Sequence, residues 1–188
     1  KPHLRIQTKS GDRVYGHPAL VLMLDRSFRQ IAKARPGSVA LVGDLSSERG
    51  GPLSGHHSHQ SGRDADVAFY ARDAKGRPAK LDRFVAFGGD GKAKDGSGLV
   101  FDDERNWLLV VAWARDDRAD LGHIFVSNAL RGRLLRYAAT RADAKPFIPL
   151  VAALFKQPEN AEFHDDHFHV RIRCPKLHEG LCHEEGRR

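Results

Sequence analysis

The sequence has no long apolar run. None of its hydrophobic stretches approaches the ~20 residues that a membrane-spanning helix requires, and the mean hydropathy is negative. We therefore expect a soluble chain without a membrane span. The sequence also has no starting methionine and no signal-like segment, since it begins at Lys1. We expect a trimmed mature form or a piece cut from a longer chain, in which an export signal would not be visible.

Internal repeats and low-complexity linkers are also missing. A chain of 188 residues that is 40% hydrophobic is long enough to bury one core without depending on covalent staples. We predict a single domain over residues 1–188.

The basic residues form no tract of five or six, although the formal net charge is +7. An excess of positive charge favours an anionic partner, such as nucleic acid, an acidic membrane face or a carboxylate-rich polymer like a cell wall. Scattered lysines and arginines are equally typical of a solvated basic surface. Charge alone does not decide between these interpretations.

Cysteine is scarce, with only Cys174 and Cys182 present. Pro175 and Gly180 between them allow the chain to turn back, so the two thiols can form a disulfide, which persists in oxidising compartments. Free thiols and soft metal ligands are the alternatives, but two cysteines are too few for a structural zinc site. We favour the disulfide, and with it an exported protein.

Hydrophobic spacing predicts helices and strands without a regular βαβ repeat. We therefore expect an α+β fold with a small, mainly antiparallel central sheet flanked by helices. A short apolar segment, Phe84 to Phe87, separates two glycine-rich loops. The predicted helices lie at His17 to Arg35, from about Asp102 as N-cap, after a Ser127 or Asn128 cap, and at Pro146 to Phe155. The predicted strands lie at Val39 to Asp44, Asp64 to Tyr70, Ile124 to Val126 and Phe168 to Cys174.

Two clusters hold six of the eleven histidines. The first offers a His59/Asp66 pair and the second a His167/His169 pair. Together they match the three protein ligands of a zinc site that keeps one position for water, which is typical of a hydrolase. Surface histidines are the alternative interpretation. The clusters are Ser54-Gly55-His56-His57-Ser58-His59-Gln60-Ser61-Gly62-Arg63-Asp64-Ala65-Asp66 and His164-Asp165-Asp166-His167-Phe168-His169-Val170-Arg171.

Strand alternation explains how such a site could work. His167 and His169 would lie on one strand face, with Cα atoms roughly 6.6 Å apart, while Phe168, Val170 and Ile172 enter the core. One imidazole could then bind a metal while the other reaches the water or substrate. Asp64 and Asp66 would share a face in the same way, one as ligand and one as supporting carboxylate. Gly62 has a simpler explanation, because a loop that turns into a strand favours a residue free to adopt positive φ.

These strings resemble the penicillin-insensitive murein endopeptidases, within the zinc peptidases named for lysostaphin, D-Ala-D-Ala carboxypeptidases and sonic hedgehog. Ser54-Gly55-His56, Ser58-His59-Gln60, Gly62, Asp64-Ala65-Asp66 and His164 to Arg171 carry the resemblance. It implies a hedgehog-like or D-Ala-D-Ala-peptidase-like fold. It also implies a periplasmic or secreted zinc D,D-endopeptidase that hydrolyses the D-alanyl-meso-diaminopimelate bond of peptidoglycan cross-links, with no nucleic acid or obligate protein partner.

The resemblance implies specific roles for the histidines. His59, Asp66 and His169 would be the zinc ligands, His167 the catalytic histidine, and His164 a stabiliser beside it. His56 is a further candidate for contact with the metal or with a second ion, and a loop-ordering hydrogen bond is an equal alternative. Whether His56 or His123 contacts a second metal stays open.

Other contacts and functions remain open as well. Asp64 or Asp165 would orient the imidazoles. Arg171 and Arg173 would suit the carboxylates of stem peptides or form ion pairs with Asp165 or Asp166. A non-catalytic hedgehog-like zinc-binding module and a metal-dependent nuclease are the competing functions.

Overall fold

Helices and strands alternate irregularly along the chain in the computed structural model, which describes residues 2–54, 58–157, 164–175 and 182. The α-helices are α1 (Pro18–Ala34), α2 (Asp103–Ala114), α3 (Asn128–Ala139) and α4 (Ile148–Leu154), and short 3-10 helices lie at Thr8–Ser10 and Lys145–Phe147. The strands are β1 (Leu4–Ile6), β2 (Ala40–Val42), β3 (Asp64–Ala68), β4 (Ala71–Arg72), β5 (Val100–Phe101), β6 (Leu121–Phe125), β7 (Phe155–Lys156) and β8 (His167–Ile172).

Six strands form one mixed sheet in the order β1-β2-β3-β8-β6-β7. The central pairings β2/β3, β3/β8 and β8/β6 are antiparallel, whereas β1 and β7 join the two edges in parallel. Strands β4 and β5 pair separately. This confirms the predicted α+β class and the mainly antiparallel centre of the sheet.

The helices begin where their capping side chains predict. The Asp102 carboxylate accepts a hydrogen bond from the Arg105 amide and caps α2, and Ser127 caps α3 through the Leu130 amide. At α1, Pro18 occupies the first turn after His17, whose ring nitrogen accepts from the Ala19 amide. Each cap satisfies an amide that has no partner within its own helix. The sequence prediction of Ser127 or Asn128 is thereby resolved to Ser127.

The core lies between the helices and one face of the sheet. On β8, Phe168, Val170 and Ile172 are fully buried, as alternation predicts for a strand with one core-facing side. Trp113 of α2 packs edge-on against Phe168, and its indole N–H donates to Ser27 Oγ of α1 at 2.9 Å. The core therefore fixes β8 firmly, while the other face of that strand carries polar residues.

Several predicted boundaries differ from the structure. Strand β8 begins at His167 and ends at Ile172, so Arg173 lies outside it. Strand β3 ends at Ala68 and not at Tyr70. The short strands β1, β4, β5 and β7 were not predicted, because two or three residues carry too little periodicity to identify a strand. In the part of the chain that the structure describes, no helix is both long and apolar enough to cross a membrane.

Candidate active site

His59 reaches the site from the loop before β3. Its side chain is fully buried and its backbone has a φ of 61°, a rare conformation for a residue other than glycine. The Leu45 carbonyl lies 2.6 Å from Nδ1. Since a carbonyl can only accept, Nδ1 carries the proton and Nε2 presents a lone pair to the interior.

Asp66 and His169 are brought together by the β3/β8 register. The two residues lie directly opposite each other in the antiparallel pair, which places their side chains on the same face. Asp66 Oδ1 lies 3.2 Å from His169 Nδ1. The face opposite the hydrophobic core therefore carries two of the three predicted ligands side by side.

The orientation of His169 is set by Asp64, two residues before Asp66. His169 Nε2 lies 3.0 Å from Asp64 Oδ1. Burial raises the pKa of Asp64, but the hydrogen bond from His169 and the nearby charges outweigh burial and lower it to about 2. The ionised carboxylate can only accept, so Nε2 carries the proton and Nδ1 faces Asp66 as a lone pair.

Three donor atoms thus form a nearly equilateral triangle. His59 Nε2 lies 3.2 Å from Asp66 Oδ1 and 3.2 Å from His169 Nδ1, and the third side is also 3.2 Å. A tetrahedral zinc ion with ligand distances of about 2.0–2.1 Å requires ligand atoms about 3.3–3.4 Å apart. The triangle therefore has the size of one face of such a tetrahedron.

The chemistry of these donors also fits a cation. Asp66 Oδ1 is buried and accepts no well-formed hydrogen bond from the described residues. Burial alone would raise the pKa of Asp66, yet the surrounding imidazoles hold it well below its usual range. Two neutral imidazoles and a carboxylate are a common zinc donor set. Within the described residues, this trio alone is a group of ligating side chains close enough to hold an ion.

His167 lies next to this triangle. Its Nδ1 contacts Asp166 Oδ1 at 2.5 Å, while its Nε2 lies 3.4 Å from Asp66 Oδ1. Burial lowers the pKa of His167, but the carboxylates of Asp66 and Asp166 outweigh burial and raise it to about 10 when no cation is bound. Because Nδ1 faces Asp166, the ring directs Nε2 toward the candidate metal position. Nε2 can exchange a proton there.

His164 lies beside His167, as predicted. The ring centroids of His164 and His167 are 5.2 Å apart, and that of His169 is 5.7 Å from His164. Phe125 of β6 contacts both His164 and His169 and forms an apolar wall beside them. His164 has a φ of 44°, so both histidine clusters contain a residue in the strained left-handed region, a feature that is common at functional sites.

The two other candidate histidines are His56 and His123. His56 lies outside the described residues. His123 of β6 packs against Phe125 at 4.3 Å, and its buried Nε2 has no hydrogen bond among the described residues. Burial lowers the pKa of His123 to about 3, helped by the charge of Lys156. The ring is therefore neutral, and it lies apart from the ligand triangle.

Of the two carboxylates considered for orienting the imidazoles, Asp64 contacts His169, and the ion pairs considered for Arg171 and Arg173 are not formed. Arg171 is buried against Asp64, with Nη1 3.0 Å from Oδ1, because the β3/β8 register places the two residues directly opposite each other. Arg173 lies beyond the strand and faces Asp120 at 3.5 Å. Asp165 pairs with the Lys94 ammonium at 2.6 Å and with no imidazole. Neither arginine pairs with Asp165 or Asp166, and Arg171 is not available to a substrate.

Sequence reasoning also missed contributors to the site. Asp166 orients His167, and its position next to that histidine was a usable signal. The Leu45 carbonyl that fixes His59 belongs to the backbone and leaves no signal in residue type. Phe84 stacks on His167 with ring centroids 4.9 Å apart, from a segment 83 residues away in the chain. Such a contact is visible only in three dimensions.

Comparison with known proteins identifies the family of this chain. The family model described as penicillin-insensitive murein endopeptidase matches residues 2–186. The chain belongs to this family. Two curated relatives, both named penicillin-insensitive murein endopeptidase, come from Escherichia coli O1:K1 / APEC and Escherichia coli strain SMS-3-5 / SECEC. Each is 31% identical over 178 residues, which cover 92% of this chain and 59% of the relative. The chain thus spans about three fifths of their length.

Proposed function

We propose that this murein endopeptidase family member is a zinc-dependent D,D-endopeptidase that hydrolyses the peptide cross-links of peptidoglycan. The observation that carries the proposal is the triangle of His59 Nε2, Asp66 Oδ1 and His169 Nδ1, with sides of 3.2 Å. These three residues would hold the ion. When bound, zinc supplies Lewis acidity, which activates water near neutral pH and polarises a carbonyl.

His167 would act as the general base and then as the general acid. Its Nδ1 is committed to Asp166, so Nε2 is the atom that takes a proton from the attacking water. The same Nε2 then delivers that proton to the departing amine. Asp166 holds the imidazole in the required tautomer and stabilises its protonated form, as a carboxylate does for a catalytic histidine elsewhere.

His164 would stabilise the negative charge that develops on the scissile carbonyl oxygen. Its ring lies beside those of His167 and His169, and in its protonated form it can donate to an oxyanion. A donor already in place at the start of the reaction is effective because no reorganisation is needed as charge develops.

The proposed substrate is a cross-linked stem peptide, cut between D-alanine and meso-diaminopimelate. The relatives are named for the cleavage of murein, and stem peptides carry free carboxylates that suit a chain of net charge +7. We place the protein in the periplasm or outside the cell. The Cys174–Cys182 disulfide supports this location, because such bonds persist in oxidising compartments.

Digestion of purified muropeptide dimers tests the proposal. The wild-type chain, loaded with one equivalent of zinc, should release monomers whose masses show cleavage at the D-alanyl-meso-diaminopimelate bond. A chelator should stop the reaction, and added zinc should restore it. Bound zinc with intact dimers would instead indicate a hedgehog-like binding module. Intact dimers together with magnesium-dependent cleavage of DNA would indicate a nuclease.

A further inference from the structure

The apolar segment Phe84–Phe87 is attached to the second histidine cluster. Val85 and Phe87 are buried in the core, and the Phe87 amide donates to the Asp165 carbonyl at 2.8 Å. These contacts place Phe84, the first residue of the segment, directly beside His167. A short hydrophobic segment between two glycine-rich loops thus extends the site beyond the two motifs.

Phe84 contacts the flat face of the His167 ring, which the carboxylates of Asp66 and Asp166 do not. The two rings are stacked, with centroids 4.9 Å apart and planes inclined by 25°. Asp166 and Asp66 lie near the two ring nitrogens of His167. Contacts at these two atoms alone leave the imidazole free to rotate about the line that joins the nitrogens. A flat hydrophobic surface against one face opposes this motion through dispersion contacts.

Gly43 makes room for the Phe84 ring. A Cβ at Gly43 would lie 2.5 Å from Cζ of Phe84 and 3.1 Å from Cε2, closer than carbon atoms can pack. Gly43 does not adopt a left-handed φ, so glycine is needed here for space and not for conformation. The Gly43 amide also donates to the Asp66 carbonyl at 2.8 Å. The residue on which the Phe84 ring packs, Gly43, is therefore hydrogen-bonded to the backbone of the candidate ligand Asp66.

We propose that Phe84, seated on Gly43, is a positioning residue that holds the His167 imidazole in line with the candidate metal centre. The inference rests on the proposed function, because that function assigns the proton transfer to His167. Phe84 itself exchanges no proton and binds no ion. Phe84 acts by restricting the orientations of the His167 imidazole, whose Nε2 must lie close to the reacting atoms.

Steady-state kinetics of Phe84→Ala on muropeptide dimers is the first test. We expect kcat to fall about 10- to 100-fold, because small misplacement of a reacting group has effects of this size, while KM and zinc content stay at wild-type values. Phe147→Ala is the matched control. Phe147 is also half-buried and also has a cation over its ring, Arg115 at 5.2 Å compared with Lys9 at 5.4 Å over Phe84. A kcat no lower in Phe84→Ala than in Phe147→Ala would overturn the inference.

The Gly43 contact allows a second, independent test. Gly43→Ala should lower kcat because its methyl group displaces the Phe84 ring. Phe84→Leu removes the Cζ atom that the methyl group would meet. The double variant Gly43→Ala/Phe84→Leu should therefore have the kcat of Phe84→Leu alone, since two changes that act through one contact are not additive. If the losses of kcat in the double variant were fully additive, the proposed packing of Phe84 on Gly43 would be contradicted.

A spectroscopic measurement separates this inference from the proposed function. An aromatic ring stacked on an imidazole shifts its carbon-bound protons upfield, and the His167 signals can be assigned by their absence in His167→Ala. These signals should move downfield in Phe84→Ala and stay in place in Phe147→Ala, whether or not dimers are cleaved. If wild-type protein leaves dimers intact while the signals move, the proposed function fails and the positioning contact stands. Unmoved signals would overturn the positioning role even in an active enzyme.

Discussion

His169 donates from Nε2 to the buried carboxylate of Asp64 at 3.0 Å, and this one bond decides which of its ring nitrogens faces the candidate metal position. Asp64 also accepts from Arg171, which holds the carboxylate in place. Asp64→Asn keeps an oxygen in this region but removes the charge that favours the required tautomer. We expect zinc affinity to fall about 10- to 100-fold, the usual effect of losing such a supporting partner, measured by competition with a chromophoric chelator.

Asp25→Asn is the matched control for this change. Asp25 also contacts a histidine ring nitrogen, that of His3 at 2.8 Å, but at the surface and away from the site. It should bind zinc as the wild type does. Equal affinities for Asp64→Asn and Asp25→Asn would show that the Asp64 bond does not set the metal-binding nitrogen.

Removal of a proposed ligand should remove the metal. Wild-type protein purified without chelators should contain about one zinc per chain by elemental analysis, and His169→Ala should contain almost none, since two remaining ligands hold the ion poorly. His123→Ala serves as control, because His123 is also buried on the sheet and lies outside the ligand triangle. Full zinc occupancy in His169→Ala would exclude His169 as a ligand.

The sequence was most informative where a physical period or a chemical requirement repeats locally. Alternation on β8 placed His167 and His169 on one face and Phe168 in the core, and both placements are confirmed. The capping role of Asp102 follows from its short carboxylate before a helical pattern, and it too is confirmed. The placement of residues within one helix or strand can therefore be predicted from their spacing.

Contacts between distant segments could not be read in this way. The prediction for Arg171 failed because strand alternation gives the face of a residue but not its partner, and Asp64 is reached only through the β3/β8 register. Phe84 has no periodic signal at all, since its segment lies between glycine-rich loops. The family resemblance supplied the ligand set, whereas the backbone partner of His59 and the seat of Phe84 required coordinates.

Loss of His167 should separate metal binding from turnover. In His167→Ala the triangle of His59, Asp66 and His169 is untouched, so zinc content should stay at about one per chain. Removal of a general base typically lowers the rate by about 100-fold or more, and we expect a fall of that size in kcat on muropeptide dimers. Turnover at the wild-type rate would refute the role assigned to His167.

The disulfide between Cys174 and Cys182 should contribute to stability and not to chemistry. It closes a short loop just beyond β8. The chain-entropy relation gives about 2–3 kcal/mol for a loop of this length, and we expect Cys174→Ser/Cys182→Ser to lose that much free energy of unfolding in guanidinium titrations. Mass measurement of the wild type without reductant should show two hydrogens fewer than the dithiol form. An unchanged unfolding midpoint in the double variant would show that the bond does not restrain the tail.

Substitution of Gly62 tests how tightly the loop before β3 is packed. It has a φ of 68°, and its carbonyl accepts from the His17 amide at 2.7 Å. A Cβ at Gly62 would lie 2.9 Å from that amide nitrogen, whereas Gly51, with a φ of 88°, has nothing within 4 Å of the same position.

Gly51→Ala should therefore lose about 1–2 kcal/mol of the free energy of unfolding, from its left-handed backbone alone. Gly62→Ala carries the same conformational cost and a backbone clash in addition, so its loss should be larger by roughly 1 kcal/mol or more. Equal losses in the two variants, measured by chemical denaturation, would mean that the loop carrying His59 can move away from α1 at no cost.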